Sequence, residues 1–537
     1  MGGGDLGNFA SLLSARAFSS FCAALGVLFL FVLMQGSILA RVSVKNFDGE
    51  EVFSLRFLSD DFTTEQIEAI TTAAQYWVDI LKPRGTMPVG GQGVDIDGNL
   101  VSGPQPVVIN VGTVDGNNAS SYNMLPIESG QLNNPFLVTP SMKLLADGTY
   151  VDPNESRMAG GNLVNAHGVM AIGYYDTSSA PLSQTGRVQR DLMTTVLHEF
   201  GHTLGISASG ELNYIDEERQ AELYKFSDIL TRWDSHLRDN NGNSAVPGAY
   251  PNVDGKPIDD DPTNGGQYIF DMGDPNSPTQ PANFTFVGKN VLELLYGKPV
   301  DKLTEEEKNH GVALQGLVLN DGDNDGDGIP NYLEKGADRW IYDVNGEEET
   351  GNQVFNTLSN INARNSLMSG QTYRNYPMFL EVELAAMQDL GYDIDRSSFF
   401  GRSFYVNGDG TPFYNSATFA SLSAYGVGAH LFADTLNIIQ TGSIQASGPG
   451  AAGIRVDGVG NTLTIPYGTT VYSGLPADYI IPTDHVDSFR NYGVSVLDNG
   501  VLETGIDGTG LLVAYGKDHQ IIHRGGEEWN RCQIRFR

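Results

Sequence analysis

The sequence predicts an α+β fold: a mixed sheet with long helices through residue 400, then an all-β region. Three observations carry that expectation. Strand-like and helix-like apolar spacings alternate as far as Tyr392. Beyond Phe400 charge thins, glycine rises and short alternating units recur. At 537 residues the chain also exceeds what one compact core accommodates.

Residues 1–40 carry the marks of an export signal. Arg16 precedes an apolar run from Ala23 to Met34, and Ala40 offers a small residue for cleavage. That run is shorter than the ~20 apolar residues that span a bilayer, and no later segment is long enough. The expectation is a secreted or cell-surface chain whose mature part begins near Arg41 and holds no membrane span. Cys22 and Cys532 are the only cysteines, so no disulfide framework holds the middle of the chain. The net charge of −33 repels nucleic acid and anionic membranes.

Glu51 to Phe57 suits a strand. Phe62 to Leu81 then places Ile67, Ile70, Ala74, Trp77 and Leu81 at helical spacing, with Thr63 or Thr64 as cap. Further strands are expected at Val107–Val111 and from Gly168 to Tyr175. Leu192, Val196, Phe200 and Leu204 recur every fourth residue and define one buried face of a helix. A long irregular stretch follows to about Gln353, and a last helix spans Met378 to Leu390, with Gly391 as its stop. The units Ala452–Asp457, Tyr492–Val496 and Thr509–Val513 suggest stacked short strands over 401–525, as in a β-helix, or a small β-sandwich. Residues 526–537 break this pattern and read as an irregular tail, either an atypical cap or the product of a truncated or shifted reading frame.

The chemistry concentrates in His198-Glu199-Phe200-Gly201-His202. Two histidines four apart on a helix project from one face and can hold one zinc ion. Glu199 lies beside them, where it can take a proton from water on the metal and pass it to a leaving amine. Gly205 stands three residues after His202, where the helix must stop sharply.

Leu197-His198-Glu199-Phe200-Gly201-His202-Thr203-Leu204-Gly205 resembles the metzincin form of this motif. Asn365-Ser366-Leu367-Met368-Ser369-Gly370 resembles that family's Met-turn, and the helix from Met378 its closing helix. The wide gap between motif and turn is similar to leishmanolysin-like proteases and to the protease-like passengers of bacterial autotransporters. The resemblance implies a metzincin-like protease domain over 41–400, zinc as cofactor, Met368 beneath the metal, and a β-helix-like region after it. It implies a zinc endopeptidase acting on protein or peptide substrates. The alternative is a catalytically impaired surface or adhesion module.

The family's third histidine is missing. Ala208 stands at the short-spacer position, and the stretch before the Met-turn holds Asn360 instead. Asn360 and His236 are both candidate third ligands, and His310 is the next histidine downstream. A carboxylate from Glu211, Glu217 or Glu218 is the remaining option. His167 reads as a structural or cleft-edge residue. Tyr373 or Tyr376 offers an oxyanion donor or a packed aromatic.

A calcium loop is expected in an insertion over about 318–340. Asp323, Asp325 and Asp327 supply oxygens, Gly328 the turn, Ile329 its carbonyl, Asn331 the ninth position and Glu334 the closing bidentate carboxylate.

Overall fold

The computed structural model describes residues 40–46, 49, 51–57, 62–81, 192–206, 208, 232–239, 242–244, 284–314, 358–363, 366–369, 379–392, 394–514 and 516–524, with the backbone of short strands between 92 and 271 and of 534–536. Strands β1 (Ala40–Lys45), β2 (Glu51–Phe57), β3 (Val107–Thr113), β4 (Ala119–Met124) and β5 (His167–Ile172) form one mixed sheet in the order β1-β2-β3-β5-β4. β3 runs parallel to β2 and β5, while β1 and β4 are antiparallel edges. Two parallel neighbours need a crossover, and α1 (Thr64–Leu81) supplies it between β2 and β3. Val52, Phe53, Ser54, Leu55 and Phe57 are all buried, as in a strand whose sheet is covered on both faces.

Thr63 is the cap of α1. Its Oγ1 accepts from the Gln66 amide at 3.2 Å, and the Gln66 side chain accepts from the Thr63 amide at 2.9 Å. Ile70, Ala74 and Trp77 then enter the core, and Trp77 Nε1 donates to the Leu197 carbonyl at 3.0 Å. This bond locks α1 against α2 (Leu192–Thr203), the helix that carries the histidines.

The predicted single buried face of α2 is corrected here. Thr194, Thr195, Glu199 and Thr203 are buried as well as Val196, Phe200 and Leu204. The helix lies between α1, strands β4 and β5, and Met368, so its polar residues point into the molecule. Helices α3 (Lys289–Tyr296) and α4 (Glu381–Asp389) pack against each other, and α4 starts three residues later than its spacing suggested.

After α4 the chain passes through three sheets in turn. The first holds β6 (Phe400–Phe404), β7 (Val427–Leu431), β8 (Ala452–Val456), β9 (Thr509–Val513) and β10 (Ile534–Phe536), all parallel. The second stacks Phe413–Asn415, Asn437–Gln440, Thr462–Ile465 and Gln520–His523 in parallel. The third stacks Phe419–Ser421, Ile444–Ala446 and Val471–Leu475, closed by an antiparallel Ile506–Asp507. Leu431, Ile438, Ile444, Ile454, Val456 and Leu463 fill the space between them.

The units at Ala452 and Thr509 pair directly with each other. Tyr492–Val496 is not a third copy. It ends helix α5 (Thr483–Asn491) within an inserted segment, and Tyr492 packs edge-on to Tyr76 and Tyr425. Ile534–Phe536, within the stretch expected to be irregular, adds β10 because Ile534 and Phe536 alternate around Arg535 in register with β9.

No linker separates the two halves. Phe399, Phe400, Val427, Ala452 and Leu512 belong to the same apolar cluster as Trp77, Leu197 and Met368. Tyr405 Oη, from the strand-rich half, accepts from the Val382 amide in the first turn of α4 at 3.2 Å. On β7 and β8, His430 and Arg455 are neighbours in register, and both bind Asp457 Oδ2 at 2.7 Å with no solvent exposure. Burial holds the His430 imidazole below its usual range. Among the described residues no helix is long and apolar enough to cross a membrane.

Candidate metal centre

The geometry starts from Gly205, whose φ of +117° lies where residues with a Cβ are strained. This conformation lets the Ile206 amide bond the Gly201 carbonyl at 3.0 Å and the Gly205 amide bond the His202 carbonyl at 3.1 Å. These two bonds make a Schellman stop. The reversed chain carries the Ile206 carbonyl back to His202, 2.7 Å from Nδ1. A carbonyl only accepts, so His202 Nδ1 bears the proton.

His198 is set the same way from the opposite side. Its Nδ1 donates to the Leu367 carbonyl at 2.7 Å, across the turn that contains Met368. With both Nδ1 atoms protonated, the two Nε2 atoms carry lone pairs, and they face each other at 2.9 Å with the rings near perpendicular at 87°. His198 is 3% exposed and His202 9%. Two neutral imidazoles converging in this way repel unless a proton or a cation lies between them. A divalent metal fits that donor set, and carbonyls that accept from Nδ1 are the usual means of aiming such rings. Glu199 is 4% exposed and follows the first histidine on the same buried helix.

The turn under the pair is tight. Ser366 bonds back to Ala363 and Ser369 to Ser366 through their amides. Its Met368 is fully buried, and a Cβ added at Gly201 would come within 2.4 Å of the Met368 sulfur. Gly201 is therefore the space into which the thioether packs. Glu383 of α4 holds the turn from below, accepting from Ser366 Oγ at 2.5 Å, the Met368 amide at 2.7 Å and the Leu380 amide at 2.6 Å. Burial nevertheless pushes its carboxyl up to about 7, against the pull of those three donors.

α4 ends on a second Schellman stop, with Gly391 at φ +105° and the Tyr392 amide on the Met387 carbonyl at 3.1 Å. Tyr392 Oη then donates to the Leu204 carbonyl at 2.8 Å, tying the end of α4 to the end of α2. Asp389 turns away to α3, where it accepts from the amides of Asn290 and Val291 at 2.9 and 3.0 Å. Burial raises its carboxyl to about 6.

The structure thus brings together His198, His202 and Met368, with Glu199 buried on the same helix. His236 is not among them. Its Nε2 donates to the Asp389 carbonyl at 3.3 Å and its ring packs on Phe286, because the short helix Arg232–Ser235 turns it toward α4. Among the described residues no third His, Cys, Asp or Glu joins the pair. His310 is exposed and caps its own short helix through the Glu306 carbonyl.

Asn360 sits in a segment pinned to both sides of the site. Trp233 Nε1 holds the Leu358 carbonyl, Ser359 Oγ accepts from the Ala208 amide, and the Ile361 amide binds the Met368 carbonyl. His167 and Glu211 begin strands. Glu217, Glu218, Tyr373, Tyr376, the calcium loop from Asp323 to Glu334 and the signal through Leu39 lie outside the described residues.

Sequence reasoning missed Glu383, Asp389 and Tyr392 as organisers of the site. Glu383 carried a signal, being a carboxylate at the third helical position, where side chains cap amides. Comparison with protein-family models, curated proteins and solved structures returns no match for this chain.

Proposed function

We propose that the chain is a secreted zinc-dependent endopeptidase in which His198 and His202 hold the metal and Glu199 is the general base and acid. The observation that carries this reading is the 2.9 Å approach of the two Nε2 atoms, each aimed by a carbonyl on its own Nδ1. When bound, zinc supplies a Lewis acid that polarises a peptide carbonyl and acidifies water. The chain's own residues do the rest. The Leu367 and Ile206 carbonyls fix the tautomers and the aim of the rings. Glu199, in a buried setting, accepts a proton at its carboxylate and returns it to the departing amine. Met368 and Glu383 hold the floor of the site rigid.

The same reading makes 41–400 a metzincin-like domain exported behind the signal at 1–40. The three sheets after α4 form a β-helix-like region over 401–525, and calcium orders the insertion around 318–340. A non-catalytic surface module is the second reading, favoured by the lack of a third His, Cys, Asp or Glu at the pair among the described residues. Incubating the full chain and its Glu199→Ala variant with an unstructured protein separates the two. The enzyme reading expects zinc-dependent cleavage by the wild type alone. No cleavage by zinc-loaded wild type leaves the surface-module reading.

A further inference from the structure

The two histidines leave the metal one protein ligand short of the three that hold a catalytic zinc. The segment from Leu358 to Asn362 is bonded residue by residue, with a single exception. Leu358 receives Trp233 Nε1 at 2.8 Å, Ser359 receives the Ala208 amide at 2.9 Å, Ile361 binds Met368 at 2.9 Å and Asn362 binds Ala313 at 2.8 Å. Asn360 Oδ1 is the exception, a buried oxygen with no hydrogen-bond partner. Such an atom costs about 1–3 kcal/mol unless something fills its lone pairs.

The neighbours of Asn360 define where it lies. Ser359 is tied to Ala208, two residues beyond the Ile206 carbonyl that aims His202. Ile361 is tied to Met368, the residue after the Leu367 carbonyl that aims His198. Asn360 thus stands between the two backbone segments that orient the histidines. We infer that Asn360 Oδ1 is the third protein ligand of the metal, which makes the site His198, His202 and Asn360.

This inference rests on the zinc reading of the histidine pair. An amide oxygen is a harder, weaker donor for zinc than imidazole, so the set trades affinity for tolerance of cobalt and manganese. Three neutral ligands also leave the metal its full double charge.

Zinc affinity of the full chain is measured by competition with a chromophoric chelator, alongside the absorption spectrum of the cobalt-loaded protein. Asn360→Ala is expected to weaken zinc by at least about tenfold, since even outer-shell changes cost about 10–100-fold. Asn360→His is expected to tighten zinc by about tenfold or more and to move the cobalt bands as nitrogen replaces oxygen. A structural asparagine gives neither a tighter site nor a shifted spectrum. Far-ultraviolet circular dichroism identifies a misfolded alanine variant, and the histidine variant then decides. Wild-type affinity and an unchanged cobalt spectrum in Asn360→His overturn Asn360 as a ligand while leaving the histidine pair standing. No zinc or cobalt uptake by the wild type overturns both.

Discussion

Replacing Glu383 with glutamine tests whether burial or hydrogen bonding dominates beneath the turn that carries Met368. Oε1 accepts from Ser366 and Met368, and Oε2 from Leu380. Glutamine keeps one oxygen and so at most the two donors that share Oε1, leaving its NH2 against the Leu380 amide. One opposed buried donor costs about 1–3 kcal/mol. That penalty is undiluted at low pH, where Glu383 is neutral and both of its oxygens still accept. Burial lifts the Glu383 carboxyl from 4.5 to about 7. Between these values the native state holds a proton that the unfolded chain has released, so the stability gained from that proton is complete below the unfolded value. It is lost as pH rises through the native one, by about 3 kcal/mol at most. Glutamine does not titrate and provides the flat reference. Urea unfolding of the full chain with chelator present, at about pH 5 and about pH 8, reads the difference. The variant is expected to be weaker by about 1–3 kcal/mol near pH 5, and equal to or stronger than wild type near pH 8. A wild type that gains on the variant as pH rises would refute the reasoning, because the three donors would then outweigh burial.

Gly205→Ala forces a Cβ into a φ of +117°, with an expected loss of about 1–2 kcal/mol and a weaker metal site, since the Ile206 carbonyl shifts off His202. Unchanged melting and zinc affinity would contradict this. Asp457→Asn removes the carboxylate that binds the buried Arg455 guanidinium, at about 3–5 kcal/mol. Chemical denaturation that shows less than about 1 kcal/mol would mean that the guanidinium has another partner. Tyr392→Phe removes the hydroxyl that donates to the Leu204 carbonyl and should lower stability by about 0.5–1.5 kcal/mol, read from the thermal midpoint.

The periodic elements were legible because burial imposes period on sequence. α1, β2 and β3 appear within two residues of their predicted bounds, since Trp77, Phe53 and Ile109 all sit in the core. Gly205 and Gly391 marked helix ends correctly because only a positive φ closes a Schellman stop. Tyr492–Val496 misled because alternation alone does not separate a parallel strand from a helix exit that packs one aromatic ring. At the candidate metal centre, His198, Glu199 and His202 were legible as a local spacing on one helix. Glu383 and the Ser359–Ala208 bond were not, because they join residues far apart in the chain, and only the folded backbone brings them together. His236 seemed eligible only by residue type, and its neighbours Asp389 and Phe286 decided its place.

Metal analysis of the purified full chain, in parallel with His198→Ala and His202→Ala, tests the central claim most directly. About one equivalent of zinc in the wild type and almost none in either variant is the result the converging Nε2 atoms predict. Wild type and both variants emerging equally free of zinc after exposure to a slight excess of the metal would contradict it.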